Sequence, residues 1–163
     1  MEQVKPYLKH ISFAFVFILL VILQKSISFS GFTLNFSLVF VIGLAILLPP
    51  LEALIWGAVS GLSLDLITTM PLSMNALLYM FLAFGVSMFA RSFYRKRWFI
   101  IVLFFAVSSF LYNLSVYLIF AIDSRFGNFF SLLWTTILPD MIFMILFGYL
   151  FYFILEKVNG YFD

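Results

Sequence analysis

Cysteine is absent from the 163 residues and histidine occurs once, as His10. The first lack excludes disulfides and thiolate metal sites. The second excludes imidazole metal clusters and leaves no Ser-His-Asp or Cys-His arrangement to build, since His10 stands at the entrance of the first apolar run. Neither a metal nor another cofactor is expected. Charge is scarce too: 10% of the residues carry it, with a formal net charge of +2. Basic residues so few, and so confined to the ends of apolar runs, suit membrane anchoring and imply no nucleic-acid partner. Also missing is any polar stretch long enough for a separate soluble domain. What fills the chain instead is 65% hydrophobic residues at a mean hydropathy of +1.18, a composition that belongs in lipid.

Six apolar runs stand out, at roughly 8–24, 33–50, 52–69, 74–90, 98–121 and 131–155. Each approaches the ~20 residues that a helix needs to cross the hydrocarbon. The breaks hold ordinary stop signals: Pro49 and Pro50, Pro71 after a threonine pair, Gly127 with Asn128. No run alternates apolar with polar as barrel strands do. The expected fold is an all-α integral membrane protein, one bundle of about six transmembrane helices in a single domain, residues 1–163. The opening, MEQVKPYLKHISFAFVFILLVIL, lacks a small-residue cleavage site, so the first span is expected to stay in the protein.

Lysine and arginine set the orientation. With the N-terminus inside, Lys5, Lys9, Arg91, Arg95, Lys96, Arg97 and Lys157 lie on the inner side and Lys25 and Arg125 outside, seven against two. Both termini are therefore expected in the cytoplasm. The runs at 52–69 and 74–90 are short and joined by a proline turn, so a re-entrant hairpin remains open beside two full crossings. Trp56, Trp98 and Trp134, with Tyr7, Tyr94 and Tyr152, fall near span ends and read as interfacial belts. The loop RSFYRKR, with Arg91, Arg95, Lys96 and Arg97, is explained by topology, with anionic headgroups or a cytoplasmic protein as further contacts.

Ala53, Gly57, Gly61 and Asp65 recur every fourth residue and so share one helix face, a small-residue track ending in a carboxylate. Such a track suits close helix packing or a partner contact. Counting along the spans brings Asp65, Asn75, Asn113 and Asp140 into one depth zone in the outer half of the membrane, where a polar pocket is expected. Three readings stay open for it: internal glue, a partner or ligand site, and a pair of catalytic aspartates. In the first, a neutral carboxyl bonded to an asparagine amide is expected to tolerate Asp65→Asn. The third meets no supporting motif, because LSLDLI and ILPDMI lack the aspartate settings of the intramembrane aspartyl peptidases.

The stretch GAVSGLSLDLI, a short turn and then PLSMNALLY resembles the central signature of the bacterial rod shape-determining MreD family. Gly57, Gly61, Asp65 and Asn75 carry that likeness. A first span ending in Leu23 and Gln24, the six-span pattern, the basic loop after span 4 and Pro139 in the last span are similar too. The chain departs at Ser73, where many relatives have glycine, and at Asn35, Phe36 and Ser37, where many open the span with Pro-Asp. The resemblance implies a multi-pass protein of the bacterial inner membrane, a non-enzymatic scaffold of the cell-elongation machinery. Such a scaffold would bind the single-span protein MreC and, through it, link the peptidoglycan polymerase and transpeptidase to the cytoplasmic actin-like filament. Family architecture is similar to that of the substrate-binding subunits of energy-coupling vitamin transporters, so a transport subunit with a small molecule in the outer pocket is the alternative. An intramembrane aspartyl peptidase comes third.

Overall fold

The computed structural model describes residues 5–26, 35–67, 74–92, 98–122 and 133–162. They form six α-helices, α1 (Lys5–Ser26), α2 (Phe36–Leu47), α3 (Pro50–Ile67), α4 (Met74–Ser92), α5 (Trp98–Ile122) and α6 (Leu138–Phe162). A π-helical turn, Leu133–Ile137, leads into α6. Among the described residues there is no strand, and the chain is an all-α membrane-type bundle. Among the described residues, four segments are long and apolar enough to cross a membrane: α3, α4, Trp98–Ile119 of α5 and Leu133–Gly160.

The second span departs from expectation. Instead of a crossing over 33–50, its helix is 12 residues long, or about 18 Å at 1.5 Å per residue. It packs against all five other helices. Ten consecutive residues, Ser37 to Ile46, are buried. Its sequence, FSLVFVIGLAIL, is apolar all round, as a helix enclosed on every side must be. Around it the others close a ring: α1 touches α6, α6 touches α5, α5 touches α4 and α4 touches α3. Trp56 joins α3 back to α1, its ring stacked on His10 at 6.3 Å and meeting Phe13 at 6.2 Å.

That contact corrects the belt reading for Trp56, which is half-buried and also meets Phe40 of α2 edge-on at 5.8 Å. Tyr152 likewise is buried within the bundle. Trp98 and Trp134 remain exposed, as an interfacial position requires. Tyr94 lies outside the described residues.

The corner between α2 and α3 follows from its two prolines. Leu48 precedes Pro49 and is extended, with φ −92° and ψ 157°, because the proline ring crowds helical backbone in the residue before it. Pro50 opens α3, where the N–H it lacks would have had no partner. The carbonyl of Leu48 accepts the Ser87 hydroxyl of α4 at 2.7 Å, so the C-terminal end of α2 is satisfied by a neighbouring helix.

Candidate functional site

The first N–H groups of a helix have no partner within it. At the start of α4 the partner comes from the last turn of α3. One oxygen of Asp65, Oδ1, accepts the Asn75 backbone N–H at 3.2 Å and the Asn75 Nδ2 at 2.8 Å. The other, Oδ2, accepts the Ala76 N–H at 3.0 Å. Asp65 is thus a cap lent by one helix to the next, and a carboxylate at a helix N-terminus also meets the positive end of the helix dipole. Both oxygens accept, and Asn75 turns its Nδ2 toward the carboxyl group. Asp65 lies two residues before α3 ends at Ile67.

The close approach of the two helices makes the cap possible. A Cβ built on Gly57 would lie 2.7 Å from the Tyr79 carbonyl oxygen and 3.1 Å from Ala83 Cβ. One built on Gly61 would lie 2.6 Å from the Asn75 carbonyl oxygen and collide with Ala76 Cα. Ala53, Gly57 and Gly61 are all buried, and the two glycines face α4. The seam therefore lies inside the bundle.

From this cap a hydrogen-bonded layer extends across the end of the bundle away from the termini. Buried Asn75 accepts the Tyr112 hydroxyl at 2.8 Å through Oδ1. Tyr112 and Tyr79 meet edge-on at 5.6 Å, and the Tyr79 hydroxyl donates to Asn35 Oδ1 at 2.6 Å. Asn35 is the N-cap of α2, its Oδ1 accepting the Leu38 N–H at 3.2 Å. Gln24 of α1 completes that cap: its Oε1 accepts the Ser37 hydroxyl at 2.8 Å and the Ser37 N–H at 3.2 Å. Two of the three helices that begin at this end, α2 and α4, thus receive a capping side chain from the helix before each.

Asn113 and Asp140 form a neighbouring pair. Asn113 Nδ2 donates to Asp140 Oδ2 at 3.1 Å and to the Ser109 carbonyl at 3.0 Å. Asp140 follows Pro139, whose ring and missing N–H oppose regular i−4 pairing, and the wide π-helical turn lies just before it. So placed, Asp140 is 8% exposed.

The expected single cluster of Asp65, Asn75, Asn113 and Asp140 is therefore two hydrogen-bonded sets, Asp65 with Asn75 and Asn113 with Asp140. Consecutive residues of α5, Tyr112 and Asn113, reach one set each. Arg91 is exposed in the last turn of α4, while Arg95, Lys96 and Arg97 lie outside the described residues. Sequence reading did not include Gln24, Asn35, Ser37, Tyr79 and Tyr112 in the layer. The signal for Asn35 was available, an asparagine immediately before an apolar run. For the tyrosines there was none, because a tyrosine in an apolar run suits a lipid interface equally well.

Polar groups that cap the chain's own helices, inside a bundle with an apolar exterior, define a membrane-type helical protein. The family model described as "rod shape-determining protein MreD" matches residues 1–158, and the chain belongs to that family. No curated protein and no solved structure matches it.

Proposed function

We propose that this chain is a non-enzymatic scaffold of the rod-shape machinery. It holds an MreC-type single-span protein and, through it, ties the peptidoglycan polymerase and transpeptidase to the cytoplasmic actin-like filament. Membership of the family supports a role in rod-shape determination. The observation that carries the scaffold reading is the use made of the two carboxylates at this end of the bundle: Asp65 caps α4, and Asp140 is bound to Asn113. Each has its own structural task, and they are held in different hydrogen-bonded sets.

Asp140 gives the discriminating substitution. An asparagine there keeps an oxygen for Asn113 Nδ2 but cannot exchange a proton. In cells lacking the native protein, Asp140→Asn should restore rod shape and co-purify the MreC-type partner in mild detergent as the wild type does. Loss of rod shape with expression, folding and partner binding intact would sink the scaffold reading in favour of proton-transfer chemistry. A vitamin-sized molecule co-purifying in place of the single-span protein would favour a transport subunit.

A further inference from the structure

A groove of about 640 Å³ runs along the outside of the bundle between the first half of α1 and the last turns of α6. Its walls are apolar, with Ile11 and Phe15 on one side and Ile154 and Val158 on the other. Ile11 and Phe15 are 63% and 68% exposed, so the groove opens to the surroundings of the protein. Two lining residues are polar. Ser12 donates its hydroxyl to the Leu8 carbonyl at 3.0 Å and is thereby occupied. Lys157 is exposed and is the one charged residue of the lining.

The arrangement along the membrane normal is informative. Helix α6 ends at Phe162, so Lys157 lies about 8 Å and Ile154 about 12 Å from that end at 1.5 Å per residue. The ammonium therefore stands nearer the surface at which the termini lie, and the wall at Ile154 extends inward from it. A lysine on its flexible stem reaches a headgroup from this depth. An acyl chain matches the walls, and an anionic group matches the single cation above them. A transmembrane helix of a partner would fill the walls but would not require a cation at that height.

We propose that this groove is a binding site for one anionic phospholipid of the inner leaflet, its chain lying between α1 and α6 and its phosphate on Lys157. The proposal is independent of the scaffold reading.

Native mass spectrometry of the full-length protein in mild detergent tests it, with phosphatidylglycerol and phosphatidylcholine of identical chains as probes. Wild-type protein should retain phosphatidylglycerol in preference to phosphatidylcholine. Lys157→Gln should reduce that preference about five-fold, the equivalent of about 1 kcal/mol for one basic group near an anionic headgroup. Ile154→Trp, which fills the groove from an exposed position, should lower binding of both lipids, while Phe81→Trp on the exposed face of α4 should leave both unchanged. A melting profile like that of the wild type shows that each variant is folded; should Ile154→Trp fail this check, Phe15→Trp replaces it. Equal retention of the two lipids by wild-type protein would overturn the proposal, and so would phosphatidylglycerol binding that groove filling leaves intact. Displacement of the bound lipid by a purified MreC-type partner that crosslinks to a cysteine at position 15 would assign the groove to a protein instead.

Discussion

An amide in place of the Asp65 carboxyl keeps the shape of the side chain but turns an NH₂ group toward one of the donors that cap α4. The sequence-based expectation that Asp65→Asn is tolerated is thereby revised. Asp65→Asn should destabilise the protein by about 1 kcal/mol, the usual cost of a lost cap. Asp65→Leu should cost about 2 kcal/mol, since it removes the carboxyl that accepts both the Asn75 and the Ala76 N–H groups. Unfolding in mixed detergent micelles measures both, and equal stability of the two variants would contradict the capping role. At this scale the importance of Asp65 was legible because charge is conspicuous in an apolar run. Its chemistry was not, because a helix start ten residues further along the chain supplies the donors.

Between elements, the seam of α3 and α4 ranks the glycines. At Gly61 a methyl group meets backbone, which has nowhere to go, so Gly61→Ala should cost about 2 to 3 kcal/mol. Gly57→Ala faces the Tyr79 carbonyl and should also destabilise. Gly85, in the same helix pair, has nothing within 4 Å of a built Cβ. Gly85→Ala should be neutral or stabilising by about 0.5 to 1 kcal/mol, since alanine favours the helix. The same unfolding measurement orders the three variants. A face with glycine every fourth residue was visible in the sequence, although whether it met α4 or another protein was not. The central position of α2 was hidden for a related reason: lipid is as apolar as a protein interior, so hydropathy does not separate a helix that faces lipid from one that faces only other helices.

At the scale of the whole molecule, the helical class and the family were legible, and the division of the polar layer between its helices was not. Topology is decided by charge at the ends of the bundle. Cysteines in place of Ser28 and Asn128 should react with impermeant thiol reagents in intact cells, whereas one in place of Lys96 should react after permeabilisation. Labelling at position 96 alone in intact cells would mean the opposite orientation.

The enclosed second helix also imposes an order on synthesis. Its C-terminal end is closed by Ser87, 39 residues later in the chain, and its N-terminal cap is joined by Tyr79, 44 residues after Asn35. When α2 leaves the ribosome, the helices that will surround it on the far side do not yet exist. At about 18 Å it is also too short to bridge the ~30 Å hydrocarbon unaided. A fragment that ends at Ile67, released and inserted in membranes, should therefore leave a cysteine in place of Ile42 open to a lipid-soluble maleimide, and the completed chain should protect it. The second helix to be made is thus fully enclosed only once the last, α6, has been added beside it.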